Sequence, residues 1–259
     1  LLAQERYEII IDLLHENKIV KVSELCKKFE VSIETIRRDL EYLEQKNKLK
    51  RIYGGAILKE EPALEPSYTK RYTEYTREKS HIGKETAKLV EDGDSLMIDL
   101  GTTTLEVARH LKEKKNLTII TNSMVIAEEL VDVPTFRVIL LGGILRPNEL
   151  SLSGSISEQL IQNFTVDKTI IGAGGITADM ISDYHLEEAR VRRAMIESGR
   201  LVIAVSDHSK FGKKAFVKVC PTSQIDVMVT DNQLSHKTAQ LYIDKGIEVI
   251  GYTDPSEVK

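Results

Sequence analysis

Apolar positions recur at helical spacing three times in the first fifty residues. Tyr7, Ile10, Ile11 and Leu14 mark a first helix that begins at Gln4, and Asn17-Lys18 breaks it. Val22, Leu25, Cys26 and Phe29 mark a shorter second helix, opened by Ser23-Glu24 or the residue just before. After a tight connection, Glu30-Val31-Ser32, the spacing of Ile33, Ile36, Leu40 and Leu43 predicts a third helix from Ile33 to about Gln45 with one buried stripe. Ser32 stands where an N-cap belongs. Glu34, Thr35, Arg37, Arg38 and Glu41 are left on the outward face. Beyond Asn47, the basic residues Lys48, Lys50 and Arg51 lead into Ile52-Tyr53-Gly54-Gly55-Ala56-Ile57-Leu58, the pattern of two short strands around a glycine turn. A short helix, a tight turn, a longer polar-faced helix and a basic hairpin add up to a winged helix-turn-helix.

The pattern then changes character. Residues 59–78 hold Glu60, Glu61, Pro62, Glu65 and Pro66, followed by Tyr68, Tyr72 and Tyr75 among charged residues. Two prolines and an acidic cluster read as an interdomain linker, and the tyrosines as contacts that settle it on a surface. From residue 79 to 259, short apolar runs alternate with helical patterns. Strands are expected at 95–98, 117–120, 136–141, 168–171, 201–205, 227–230 and 247–250, with helices at 78–90, after 104, around 126–130, at 186–197 and at 235–245. That alternation predicts an α/β domain with a largely parallel sheet. The expected division is therefore 1–58, a linker over 59–78, and 79–259.

Polar and glycine residues gather just past the expected strand ends, where open parallel sheets bind ligands. Asp99-Leu100-Gly101-Thr102-Thr103-Thr104 is the sharpest such loop: a glycine turn, three hydroxyls and free backbone N–H groups at one helix N-terminus suit a phosphate. Thr121-Asn122-Ser123 and Gly142-Gly143 repeat the arrangement on neighbouring strands. Glu187 and Glu188 open a helix, where they either bind sugar hydroxyls or simply favour the helix dipole. Asp207-His208-Ser209-Lys210 follows another strand and offers an ammonium to the same anion. Gly172-Ala173-Gly174-Gly175 is not a dinucleotide loop, because the third glycine of that fingerprint falls on Thr177.

Composition narrows the reading only slightly. A 259-residue chain with 41% hydrophobic and 29% charged residues is ordinary for a globular protein of two domains. A net charge of -4 argues against indiscriminate coating of nucleic acid, though not against a local basic face. No apolar run approaches the ~18 residues a membrane span needs. Acidic residues come early in the N-terminal stretch, without a signal peptide's basic start and apolar centre, and the cytoplasm is the expected location. Two distant cysteines and six scattered histidines lack metal-ligand spacing, so neither metal nor cofactor is expected.

Residues 3–58 resemble a known family. Phe29-Glu30-Val31-Ser32, Thr35-Ile36-Arg37-Arg38-Asp39-Leu40, Leu43-Glu44 and Arg51-Ile52-Tyr53-Gly54-Gly55-Ala56 look like the winged helix-turn-helix of DeoR-type bacterial transcription regulators. Tyr53 departs from the histidine usual before Gly-Gly-Ala. The resemblance continues to about residue 232 through Asp99-Leu100-Gly101-Thr102-Thr103, Thr121-Asn122-Ser123, Gly142-Gly143, Gly172-Ala173-Gly174-Gly175, Glu188-Ala189 and Ser209-Lys210-Phe211-Gly212. These look like the DeoR-type sensor domain, whose fold is similar to ribose-phosphate isomerase and whose members bind phosphorylated sugars or related intermediates. Met180-Ile181-Ser182 and His208 depart from the common Gly-Leu-Thr and Ser.

The resemblance implies a regulator, most simply a repressor, that holds double-stranded operator DNA as a homo-oligomer and answers to a phosphorylated sugar. Ser32, Glu34, Thr35, Arg37 and Arg38 would meet the major groove, and Lys48, Lys50, Arg51 and Tyr53 the backbone. Asp99, Gly101, Thr102, Thr103, Thr104, Asn122, Ser123, Gly142, Gly143, Glu187 and Lys210 would hold the effector. No catalytic residue is assigned. Two alternatives stand beside this reading. One is an isomerase using Asp99, Asp207, Glu187 and Lys210 as acid–base groups. The other is a second domain that only mediates interaction or oligomerisation.

Overall fold

The structure, a computed structural model, describes residues 3–17, 19–46, 48–58 and 65–253. The chain divides into two compact units, one within residues 1–62 and one within 63–259.

The first unit contains α1 (Ala3–Asn17), β1 (Ile19–Lys21), α2 (Val22–Phe29), α3 (Ile33–Gln45), β2 (Leu49–Ile52) and β3 (Gly55–Leu58). α2 ends where Glu30 adopts a left-handed conformation and its N–H reaches Cys26 O. α3 then starts on its expected cap, the Ser32 Oγ accepting from the Thr35 N–H. Ile10, Leu14, Leu25, Phe29, Ile36, Leu40 and Leu43 close one core with Val20, Leu49 and Ala56 of the strands. The wing is three-stranded, in the order β1-β3-β2, because Ile19–Lys21 adds an antiparallel strand that three residues are too few to announce.

Two features of α3 differ from expectation. Ile33 is 55% exposed and stands outside the buried stripe. Asp39 takes a place on that buried face, which a carboxylate can do only because Arg6 of α1 meets it with two hydrogen bonds, of 2.7 and 3.0 Å.

The wing turn depends on both of its glycines, for different reasons. Gly54 has φ +81°, and a Cβ on Gly55 would overlap the Val20 carbonyl oxygen across the β1–β3 pair. Gly55→Ala is therefore expected to destabilise the first unit by roughly 1–3 kcal/mol. Faster amide exchange in β1 and β2 of the full chain, relative to the native chain, is the measurement.

The second unit runs α4 (Tyr68–Thr73), α5 (Thr76–Lys88), β4 (Ser95–Ile98), α6 (Thr102–His110), β5 (Thr118–Thr121), α7 (Met124–Leu130), β6 (Arg137–Leu140), β7 (Ile144–Arg146), β8 (Ser151–Ser153), α8 (Ser155–Ile161), β9 (Val166–Ile171), β10 (Gly175–Ile176), β11 (Met180–Asp183), α9 (Leu186–Ser198), β12 (Gly199–Val205), β13 (Val217–Pro221), β14 (Val227–Val229), α10 (His236–Ile243) and β15 (Glu248–Ile250). Seven of these strands form one parallel sheet in the order β15-β14-β12-β9-β4-β5-β6. Helices cover both faces, so alternate residues of one strand enter different cores. Leu96 and Ile98 of β4 pack with Leu105, Ile119 and Ile203, whereas Met97 packs with Ile120, Val191 and Met195. All seven expected main-sheet strands are present. The β7–β8 hairpin and the small antiparallel sheet β10-β11-β13 were not expected, their strands being two to five residues long.

The sheet winds outward from β4 through β5 to β6, then restarts at β9 on the other side of β4. The strand order thus reverses between β4 and β9, and the crevice at their carboxyl ends is the topological switch point. Of the expected linker, Glu60, Glu61 and Pro62 lie outside the described residues. From Glu65 onward the chain belongs to the second unit, and its tyrosines do find a surface there. Tyr72 accepts a hydrogen bond from Arg109, and Tyr75 meets the His208 ring edge-on at 5.2 Å.

Candidate functional site

In the first unit, α3 is 13 residues long and presents Glu34, Arg37 and Arg38 to solvent, with Thr35 half-buried beside the cap. Ser32 and Thr35 are committed to each other, their hydroxyls 2.9 Å apart. Arg37 leans toward Glu34 at 3.9 Å, a loose exposed pair that costs little to break. Exposed Ile33 stands at the start of the same helix and presents an apolar side chain to solvent there. Its helical spacing had suggested a core residue instead.

The wing carries Lys48 and Lys50 exposed, and Tyr53 fully exposed at the turn. Arg51 differs from its neighbours. Its N–H donates to Glu44 Oε1 at 2.8 Å and its Nε lies 3.1 Å from Glu44 Oε2, so it braces the wing against α3.

In the second unit, Gly101 begins α6 with φ +144° and no side-chain cap. The first intrahelical hydrogen bond runs from Leu105 N–H to Gly101 O. Thr102, Thr103 and Thr104 therefore have N–H groups with no intrahelical acceptor, at the positive end of the helix dipole. Thr104 Oγ1 donates back to Gly101 O at 3.0 Å, which holds the turn and leaves half-buried Thr103 the most accessible of the three hydroxyls. The β9 loop crosses close by: a Cβ on Gly172 would touch Leu100 O and the Thr104 methyl. Lys210 is half-buried, and burial pushes its ammonium below the ordinary lysine value while Asp207 pulls it back up.

Other expected effector residues have their side chains tied into the framework. Asn122 Oδ1 accepts from the Leu100 N–H at 2.9 Å and its Nδ2 donates to Asp99. Ser123 caps α7 through the Ile126 N–H. Gly142 O accepts from Ser157 Oγ at 2.6 Å, and a Cβ on Gly143 would overlap Ser157 and Ser153. Asp99 is fully buried, its carboxylate held by Arg192 Nε, while Arg192 Nη1 donates to Asp183. Burial pushes Asp99 up to about 6 even with Arg192 opposing it. Glu187 is exposed, and the residue turned into the site is Glu188, which binds Arg146 at 2.7 Å and Ser151 at 2.8 Å.

Sequence reasoning missed an arginine–carboxylate network beside these loops: Arg71 with Glu65 and Glu149, Arg146 with Glu65, His185 and Glu188, and Arg192 with Asp99 and Asp183. One local signal existed. Arg192 lies four residues after Glu188 in α9, on the face that turns inward. Among the described residues, no group of three or more His, Cys, Asp or Glu is arranged to hold a metal ion.

Two family models match this chain. The DeoR-like helix-turn-helix domain covers residues 6–61, and the DeoR C terminal sensor domain covers residues 74–232. The chain belongs to the DeoR family. Among its DeoR-family relatives, the HTH-type transcriptional repressor GlcR of Bacillus subtilis is 35% identical over 247 residues, 95% of each chain. The glycerol-3-phosphate regulon repressor of Escherichia coli is 37% identical over 248 residues, covering 95% of this chain and 97% of that one. Similar solved structures include ribose 5-phosphate isomerase A of Methanocaldococcus jannaschii, with a TM-score of 0.38, 15% identity and coverage of 51% of this chain and 53% of that one. They also include the tetrameric eIF2B-beta2-delta2 complex of C. thermophilum, with a TM-score of 0.46, 14% identity and coverage of 93% and 72%. The helix-turn-helix match spans the capped α3 and the glycine wing. The sensor match spans every switch-point loop from Asp99 to Lys210.

Proposed function

We propose that this DeoR-family chain is a repressor of an operon for sugar or polyol metabolism, and that a phosphorylated metabolite weakens its hold on operator DNA. The observation that carries the reading is the uncapped start of α6 at the switch point, with Lys210 in the same unit, in a chain whose other unit offers α3 and a basic wing. Open N–H groups at a helix start, threonine hydroxyls and an ammonium suit a phosphate monoester. An effector acts as an inducer only if it binds the DNA-free arrangement more tightly than the DNA-bound one. The isomerase alternative has less support. Asp99 is committed to Arg192, Asp207 accepts from the Ser209 N–H, and Glu187 faces solvent.

The same reading includes a homo-oligomer working on DNA in the bacterial cytoplasm. Helix-turn-helix modules read repeated half-sites. Strand β6 lies at one edge of the main sheet, and exposed Leu140, Ile144, Ile156 and Leu160 gather beside it. A Cβ added at Gly142 would come within 4 Å of both Ile156 and Leu160, so those two side chains adjoin beside the end of β6. A second copy of the chain is the occupant this patch fits.

The test is selection of bound duplexes from a random pool, followed by a thermal-shift screen of phosphorylated sugars and polyols. An enriched palindrome and a raised melting temperature with one compound class are expected. A pool that emerges without enrichment would refute the reading. Thr103→Ala is expected to weaken effector binding by about 10-fold to 100-fold, the effect of removing one hydrogen bond to a charged group, with operator affinity unchanged. Calorimetry and fluorescence anisotropy on the same preparation read the two quantities.

A further inference from the structure

Two guanidinium groups and an imidazole converge on one carboxylate in the second unit. Arg146 Nη2 donates to Glu65 Oε2 at 2.5 Å, His185 Nε2 lies 3.1 Å from that oxygen and 2.7 Å from the same Arg146 nitrogen, and Arg71 Nη2 lies 3.1 Å from Glu65 Oε1. His185 is also the residue that opens the 13-residue helix α9, without a side-chain cap. Lys210 and Tyr184 are near enough for the charges on Glu65 and Arg71 to shift both of them. Paired arginine forks on a single acceptor match an anion that carries more charge and more oxygens than a carboxylate does.

The distribution of charge identifies which member of the network can leave. Arg71 also donates to Glu149, and Arg146 also donates to Glu188 at 2.7 Å. Glu149 and Glu188 are the buried partners, with side chains 2% and 1% exposed, whereas Glu65 is 12% exposed. Removing one partner of a buried pair is costly because the other charge is left uncompensated. When Glu65 departs, each arginine keeps a buried carboxylate and Glu65 gains water, so that penalty does not arise.

Glu65 is also the member nearest the first unit in sequence, three residues after Pro62, where that unit ends. Arg71 fixes the chain next to it as well, its Nε donating to Pro66 O at 3.0 Å. We propose that Glu65 is a built-in occupant of an anion subsite formed by Arg71, Arg146 and His185, and that a phosphorylated effector displaces it and frees the segment leading to the DNA-binding unit. This rests on the effector reading above and adds how occupancy is reported: by release of a carboxylate on the connecting chain.

Calorimetric titration of the full chain with inorganic phosphate, comparing native protein with Glu65→Gln, tests the competition. The variant is expected to bind phosphate at least roughly tenfold more tightly, a coupling of ordinary size. Unchanged or weaker binding by the variant, with the native chain still binding phosphate, overturns the subsite and leaves the effector reading standing. No binding by either chain, of phosphate or of any compound in a panel of phosphorylated sugars and polyols, overturns both. Because Glu65→Gln can also loosen α4, amide exchange on the native chain supplies a second measurement. Residues 65–73 are expected to exchange faster in saturating inorganic phosphate, and slower or unchanged exchange there overturns the proposal.

Discussion

Replacing Arg192 by methionine is expected to lower the stability of the second unit by about 3–5 kcal/mol, the cost of stranding buried charge. Arg192 is 3% exposed and joins the ends of two strands to α9, through Asp99 after β4 and Asp183 at the end of β11. Methionine fills similar volume but cannot compensate either carboxylate. Asp99 already sits near 6 because of burial, and Arg192 is the largest influence holding it down. Without Arg192 the carboxyl rises further and takes up a proton in the folded state.

The direction of the pH dependence follows. A folded-state pKa raised above the unfolded value of 3.8 gives stability that is full below that value and lost as pH rises through the folded one. The deficit of Arg192→Met should therefore be small near pH 4 and grow through and beyond pH 6. Adding Asp99→Asn should recover part of the loss at neutral pH, since an amide needs neither a compensating charge nor the uptake of a proton. Urea denaturation at several pH values, followed through a signal from the second unit, makes the comparison. A deficit that does not change with pH would mean that poorer packing, not stranded charge, is responsible.

What could be read from the sequence and what could not divide along a physical line. Periodicity located α3, its Ser32 cap and the seven strands of the main sheet, because helix and strand patterns are written in near neighbours. The switch-point loop Asp99–Thr104 was legible for the same reason: a strand, a glycine turn and a helix start are consecutive. The ion pairs were not. Arg6 and Asp39 are 33 positions apart, Glu65 and Arg146 are 81 apart, and Asp99 and Arg192 are 93 apart. No local pattern encodes such a pair. Ile33 and Asp39 exchanged their expected places because position on a helix gives the face, whereas Arg6 decides which polar residue that face can accept. Glu187 and Glu188 are adjacent and chemically alike, and only the direction of α9 relative to Arg146 separates them. Residues 65–78 read as linker from their prolines and charges, but tertiary contacts bind them to the second unit.

Arg38→Ala and Lys50→Ala should weaken operator binding in different ways, and the difference tests how α3 and the wing divide the work. Arg38 is exposed on α3, between buried Ile36 and Leu40 and beside Arg37. A guanidinium at that position reaches base edges when the helix lies in the major groove, where one bidentate pairing with guanine is worth about 1–3 kcal/mol. Its removal should lower operator affinity by about 10-fold to 100-fold, and affinity for unrelated duplexes much less. If two protomers occupy two half-sites, the substitution acts in both and the total effect in free energy doubles. Lys50 lies exposed on β2 of the wing, where its ammonium would meet a backbone phosphate as a point charge. Its removal should weaken operator and unrelated DNA alike and reduce the slope of log affinity against log salt by about 1 for each phosphate no longer neutralised. Arg51→Ala should act through a third route, because it removes the side-chain tie between the wing and Glu44 of α3 and leaves only the backbone N–H bond to that carboxylate. Anisotropy titrations of operator and scrambled duplexes across a salt series separate these effects. Equal weakening on both duplexes for Arg38→Ala would move that residue from base reading to backbone binding, and would shift the reading of sequence toward the start of α3, at Ile33 and Thr35.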